Sequence, residues 1–171
     1  VTLVPDAVDQ LTSNHGWDTK KYADDLRIWI AAFHEEGIRV SVFVDPVPEM
    51  VQHAALVGAD RVELYTGPYA ELHAVRPLQA IETYRAAAEC AKEIGLGLNA
   101  GHDLNLHNLN DLVSAFPWID EVSPGVGIGI ACHLNAFPGT GEGLQVEVPH
   151  LGLDLVPCGC FRVEAANRDH G

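Results

Sequence analysis

The chain has 171 residues and a formal net charge of −14, and 47% of its residues are hydrophobic, which is typical of one globular domain with a sizeable core. The excess of acidic residues argues against a nucleic-acid or anionic-membrane partner, because phosphate groups repel such a chain, although a small phosphorylated substrate needs only a local set of N–H donors. No apolar run reaches the roughly 18 residues that a membrane-spanning helix requires, so we expect no membrane segment.

Short apolar runs alternate with longer amphipathic stretches through the first 123 residues. In the first of these stretches, Leu26, Ile30 and Phe33 recur at helical spacing, and Gly37 is placed to end the helix. In chain order, the sequence predicts strand 1–6, helix 17–37, strand 38–45, helix 48–59, strand 61–67, helix 76–95, strand 96–101, helix 106–116 and strand 119–123. Such alternation is typical of α/β proteins with a parallel sheet.

Two α/β folds have this alternation, a (β/α)₈ barrel and an open doubly wound sheet, and both place functional residues at the carboxyl ends of the strands. The first strand is not followed by G-x-G-x-x-G, and G-x₄-G-K-[ST] does not occur, which argues against dinucleotide and P-loop sites. From residue 124 onward, nine of the sixteen glycines occur without a helical period. We therefore predict one α/β unit over 1–123 and a divergent, irregular tail over 124–171.

Three of the four cysteines lie in that tail, at Cys132, Cys158 and Cys160. The last two are not spaced as C-x₂-C and no second pair completes a zinc set, so we expect no metal site. Nothing indicates a disulfide framework, which makes a reducing cytoplasm the expected compartment. The chain begins at Val1 inside a strand-like run, which we interpret as a processed or fragmentary chain.

His102 follows a glycine at the end of the predicted strand 96–101, within the run GLGLNAGHDLNLHNL. An imidazole at a strand end can transfer protons near neutral pH, or it can cap the helix that follows. Position alone leaves both interpretations open. His107, about one turn further on, is interpreted as structural.

Glu63 and the TGP stretch at 66–68 form a second candidate group. Glu63 lies mid-strand in a run that looks buried, where an unpaired carboxylate is costly. It either points into a barrel lumen or pairs outward with a cation on a helix. The TGP stretch predicts a tight turn that could hold a phosphate or merely reverse the chain. The loop LTSNHGWDT at 11–19 could likewise contact a hydroxylated substrate or bond its own backbone.

Together these stretches resemble one family. VTLVPD, LTSNHGWD, IRVSVFVD, GADRVELYTGPYAE, GLGLNAGHDLNLHNL and WIDEVS occur in the same order and at similar spacing in pyridoxine 5′-phosphate synthases, over about residues 1–125. The resemblance implies a partial (β/α)₈ barrel of about five βα units, assembled in the family as a homo-octamer. It also implies condensation of 1-deoxy-D-xylulose 5-phosphate with 3-amino-2-oxopropyl phosphate to pyridoxine 5′-phosphate, without a metal or organic cofactor.

By position, the resemblance implies roles for five residues. His102 matches the family's proton donor, and Thr12 matches a threonine that contacts deoxyxylulose phosphate. Asp103 stands where the family pattern has a phosphate-binding Gly. Its backbone N–H can donate to the phosphate as the N–H of Gly would, and we expect its carboxylate to point away from the phosphate. Glu63 matches an acidic residue of the lumen. Gly125 matches the first residue of a phosphate-binding Gly-His pair whose His is missing here, in a loop where barrels often bind phosphate.

The family's other acid/base groups, a histidine and a glutamate, lie on strands that precede VTLVPD in the family. We therefore expect this chain alone to be inactive. Because the resemblance ends near residue 125, we also expect 124–171 to be a frame-shifted reading of the family's C-terminus. Two other functions stay open: a non-catalytic half-barrel that binds or scaffolds, and a different phosphate-handling (β/α)₈ enzyme.

Overall fold

The computed structural model describes residues 1–5 and 13–123 and the backbone of 161–162. These residues form a single sheet whose strands follow one another in chain order. The strands are β1 (Thr2–Leu3), β2 (Ser41–Val44), β3 (Arg61–Tyr65), β4 (Gly97–Gly101), β5 (Glu121–Ser123) and β6 (Phe161–Arg162). The first five are parallel, and β6 pairs antiparallel with β5. The rest of the predicted tail, with its three cysteines, lies outside the described residues.

Five helices connect the strands of the described region. They are α1 (Ala23–Glu35), α2 (Pro48–Leu56), α3 (Gly67–His73), α4 (Pro77–Glu93) and α5 (Leu109–Ala115). Within the part of the chain that the structure describes, none of them is long and apolar enough to cross a membrane.

The parallel register sorts the strand side chains into an apolar face and a polar face. Val44 pairs with Leu64, and Leu64 with Ala100, so apolar side chains align across the sheet and join the core formed with the helices. The opposite face, called here the inner face, carries Thr2, Ser41, Phe43, Arg61, Glu63, Tyr65, Asn99, Gly101, Glu121 and Ser123.

The inner face is concave. A side-chain hydrogen bond joins Glu63 on β3 to Thr2 on β1, across the intervening strand β2. The strand order has no reversal, whereas a doubly wound sheet reverses its order and covers both faces with helices. The structure therefore confirms the partial (β/α)₈ barrel, and the doubly wound alternative is wrong.

Helix α3 is an element that the sequence did not predict. The TGP stretch at 66–68, expected to be a turn after a strand reaching residue 67, instead begins this helix, and β3 ends at Tyr65. Pro68 suits the first helical turn, where its missing N–H has no intrahelical acceptor. A Cβ at Gly67 would overlap the end of the Tyr65 ring, so a larger residue there would require that ring to shift.

Helix α1 begins at Ala23, later than the predicted start at residue 17. Asp18 Oδ1 accepts hydrogen bonds from the N–H groups of Lys20 and Lys21, at 3.2 and 2.9 Å. These bonds hold a turn ahead of the helix rather than capping it. At the other end, Gly37 has a φ of 71°, the left-handed conformation that commonly ends helices.

Tyr84 provides a test of how the strands and helices are joined. Its buried hydroxyl donates to the Tyr65 carbonyl at 2.6 Å and accepts from the Tyr69 N–H at 3.3 Å. We expect Tyr84→Phe to lower the free energy of unfolding, measured by urea titration, by about 1–3 kcal/mol, because two buried backbone groups lose their partner. The control is Tyr22→Phe, whose hydroxyl accepts from Lys21 in an exposed contact. Equal losses in the two variants would contradict the account.

Candidate active site

Glu63 lies in the middle of β3 on the inner face, with 6% of its surface exposed. Its Oε2 accepts a hydrogen bond from the Thr2 hydroxyl at 2.9 Å, and the Ser123 side chain hydrogen-bonds to the same carboxyl. Burial raises the pKa of Glu63, although both hydrogen bonds act against that rise. The carboxyl thus points inward, because its partners are hydroxyls of β1 and β5 rather than a cation on a helix.

Gly101 makes room for this carboxyl. It lies on β4, and a Cβ there would overlap Glu63 Oε1 and lie 3.0 Å from the Ser123 Cβ. Its own carbonyl accepts the Thr66 N–H at 2.8 Å. A glycine at this point therefore lets the Glu63 carboxyl lie against the backbone of the neighbouring strand.

His102 follows Gly101 at the carboxyl end of β4. Its N–H donates to the Ser123 carbonyl at 3.1 Å, and its carbonyl accepts the Thr66 hydroxyl. Its ring stands edge-on to Tyr65, with 5.0 Å between the centroids, and its side chain is 21% exposed. The φ of 93° is a strained conformation for a residue with a side chain, and such strain concentrates at functional sites.

Asp103 also has a left-handed backbone, with φ at 56°. Glycine adopts this conformation freely and Asp tolerates it. Both residue types therefore suit this position, where the family pattern has Gly and this chain has Asp. The Asp103 carboxylate lies 2.9 Å from His102 Nδ1, so it is directed at the imidazole. The amide side chains of Asn105 and Asn108 donate to the Asp103 carbonyl. Within the described residues, the Asp103 N–H donates to no acceptor.

A second polar network lies beside Glu63 on the inner face. Arg61 Nη1 donates to Asn99 Oδ1 at 3.2 Å and lies 3.1 Å from an Asp120 oxygen. Asn99 Nδ2 donates to Glu121 at 3.1 Å. These contacts join groups of β3, β4 and β5 and the carboxylate of Asp120, which directly precedes β5. The sequence analysis did not single out Arg61 and Asn99. Their spacing was the available signal, because Arg61 lies two residues before Glu63 and Asn99 two residues before Gly101, on the same face of the sheet.

The described part of the loop between β1 and α1, from residue 13 onward, lies against β1 and β2. The Trp17 N–H donates to the Phe43 carbonyl at 2.8 Å, and its indole N–H to the Leu3 carbonyl at 3.1 Å. A cleft of about 400 Å³ lies beside this loop, lined by Pro5 and residues of 15–22. The described residues of the loop predicted to contact substrate, 13–19, are therefore anchored near the carboxyl edge of the sheet.

Three of the five residues implied by the resemblance are described, and they gather around Gly101: Glu63, His102 and Asp103. Thr12 and Gly125 lie outside the described residues. Tyr65 is a neighbour that sequence reasoning missed, and its spacing of two residues from Glu63 was the available signal. The described part of the chain holds no cluster of three or more metal-ligating side chains.

These features define the class of protein. The chain is part of an α/β barrel with a buried carboxyl and an imidazole at the carboxyl edge of its sheet, the edge where barrel enzymes place their active sites. The family model described as pyridoxal phosphate biosynthesis protein PdxJ matches residues 1–136. The chain belongs to this family, as the resemblance predicted.

Several relatives named pyridoxine 5′-phosphate synthase are similar to the chain. The protein of Cytophaga hutchinsonii is 58% identical over 125 residues, which are 73% of this chain and 52% of the relative. For Bacteroides thetaiotaomicron the identity is 54% over 73% of this chain and 53% of the relative. The protein of Flavobacterium johnsoniae is 48% identical over 91% of this chain and 59% of the relative. The chain thus spans about half the length of these curated relatives.

Gly101→Ala tests the close approach of the Glu63 carboxyl. The added methyl group overlaps Glu63 Oε1. We therefore expect the free energy of unfolding, measured by urea titration, to fall by about 1–3 kcal/mol, the usual cost of overpacking. In a Glu63→Ala background the overlap with the carboxyl is gone and only the 3.0 Å approach to the Ser123 Cβ remains, so the same substitution should cost clearly less. The same cost in both backgrounds would show that the carboxyl does not occupy this position.

Proposed function

We propose that the chain is part of a pyridoxine 5′-phosphate synthase, which condenses 1-deoxy-D-xylulose 5-phosphate with 3-amino-2-oxopropyl phosphate. Membership of the family and the names of the relatives support this activity. The observation that carries it is the placement of His102, a residue with a strained backbone at the carboxyl end of β4, directly after the glycine that accommodates Glu63.

The reaction joins an amine to a carbonyl and continues through eliminations and ring closure, so it needs several proton transfers. Imidazole is the side-chain group that can both accept and donate a proton in such steps, and His102 supplies one at the carboxyl end of β4. Glu63 holds its proton to a higher pH than an exposed glutamate, because burial raises its pKa, which suits it to exchange a proton with a bound intermediate. The Asp103 N–H is a donor for one substrate phosphate, and Thr12 and Gly125 are further candidates for contacts with the substrates.

The other inferences from the resemblance remain predictions. They include a homo-oligomeric assembly, small phosphorylated substrates as the partners and no organic cofactor. The cytoplasmic location, expected from the absence of a disulfide framework, also stays a prediction. The unit boundary at 123 and the frame-shifted tail also stay predictions. Translation of the encoding DNA in its other two frames tests whether residues 124–171 are a frame-shifted reading. If neither frame gives a Gly-His pair followed by a helix, the frame-shift hypothesis is wrong.

His102→Ala tests the proton-transfer role. In the protein expressed from the complete coding region that contains this chain, we expect turnover to fall by about 10²–10⁴-fold, the usual contribution of a proton-transfer group. The measurement is phosphate release from the two substrates. His107→Ala is the matched control, because His107 is an exposed histidine of the same loop, and it should retain wild-type turnover.

The role of His102, the synthase activity and the inactivity of the chain alone are each contradicted by a different outcome. A loss of less than about tenfold in His102→Ala would assign this residue to structure. Failure of the unaltered protein to release phosphate would contradict the synthase proposal and favour a binding module or another phosphate-handling enzyme. Activity of the 171-residue chain by itself would overturn the expectation that it is inactive alone.

A further inference from the structure

A carboxylate and an imidazole on adjacent residues face one another at the end of β4. Asp103 Oδ2 lies 2.9 Å from His102 Nδ1, and the Asp103 side chain is 59% exposed. An ionised carboxylate only accepts hydrogen bonds, so Nδ1 carries the hydrogen of this contact. In the neutral ring, Nε2 is then the nitrogen with a lone pair for proton exchange.

We propose that Asp103 is a positioning residue that sets the tautomer and orientation of His102, so that Nε2 is the nitrogen that exchanges the proton. The inference rests on the proposed function, in which His102 is the proton-transfer group. It goes beyond the resemblance, in which this position is a glycine that serves through its backbone.

The surrounding structure holds the backbone of Asp103 and the ring of His102. Asn108 is 3% exposed, and its side-chain amide donates to the Asp103 carbonyl at 3.2 Å. The Asn108 carbonyl in turn accepts the buried Tyr69 hydroxyl at 2.7 Å. On the other side, the Tyr65 ring packs against the imidazole. The backbone of one partner and the ring of the other are therefore both held.

The backbone conformation at position 103 does not by itself explain why the residue is an aspartate. Both residues of the pair have a positive φ, which glycine adopts without strain. Adjacent side chains of an extended strand point to opposite faces, and the left-handed conformation brings these two together. The carboxylate thus adds a function that a glycine at this position lacks, at some cost in backbone strain.

Two substitutions separate this role from a structural one. Asp103→Asn keeps the size of the side chain and tolerates the positive φ, but it loses the charge. Asp103→Gly removes the side chain and relieves the strain, so it should leave the free energy of unfolding unchanged or raise it. Asp111→Asn is the matched control, because Asp111 makes a similar 2.9 Å contact with His73, away from the site.

The first readout is the tautomer of His102, measured by ¹⁵N NMR of histidine-labelled protein expressed from the complete coding region. The unaltered protein should show hydrogen on Nδ1 in the neutral ring. Both Asp103 variants should show a mixture with hydrogen on Nε2, and Asp111→Asn should match the unaltered protein.

The second readout is turnover, measured by phosphate release. Both Asp103 variants should lower kcat by about three- to tenfold, the equivalent of one hydrogen bond, with KM unchanged. The proposal is overturned if the ring keeps its tautomer without the carboxylate, or if the tautomer changes and kcat does not. An inactive unaltered protein would instead overturn the proposed function, and the NMR result would then decide whether Asp103 fixes the imidazole.

Discussion

A buried carboxyl on the inner face of a parallel sheet constrains the placement of every strand around it. Burying Glu63 without partners would cost several kcal/mol, and its partners are side chains of Thr2 and Ser123, on strands β1 and β5. Neither strand is adjacent to β3 in the sheet. The sheet therefore has to curl for the carboxyl to be satisfied, and the curl creates the concave face of a partial barrel.

The same constraint determines what lies at the carboxyl edge of the sheet. Gly101 has to lack a side chain for the Glu63 carboxyl to fit, and the next residue along the chain is His102. The backbone of His102 is strained, and the ends of β3 and β5 hold it through Thr66 and Ser123. A titratable ring is thus fixed at the edge where barrel enzymes bind substrate.

Sequence periodicity predicted the order of strands and helices because each long helix has an apolar face at helical spacing. It missed α3 because this helix starts with Gly67 and Pro68, which are turn signals, whereas α5, which also has seven residues, was predicted. Alternation alone could not predict the inward orientation of Glu63, since it permits either face until the long-range contact with Thr2 is known. The resemblance implied this orientation by matching Glu63 to an acidic residue of the lumen. The contact between His102 and Asp103 depends on two left-handed residues, a conformation that no local pattern predicts for residues with side chains.

The titration of Glu63 tests the account most directly, because the curled sheet, the glycine at 101 and the position of His102 all depend on a buried carboxyl. The measurement is the ¹³C shift of the Glu63 Cδ as a function of pH, with the resonance assigned through Glu63→Gln. Burial raises the pKa of this group above its ordinary value of 4.5, so we expect the midpoint to lie above that value. A midpoint at or below 4.5 would contradict a carboxyl whose burial outweighs its hydrogen bonds from Thr2 and Ser123, as described for this site.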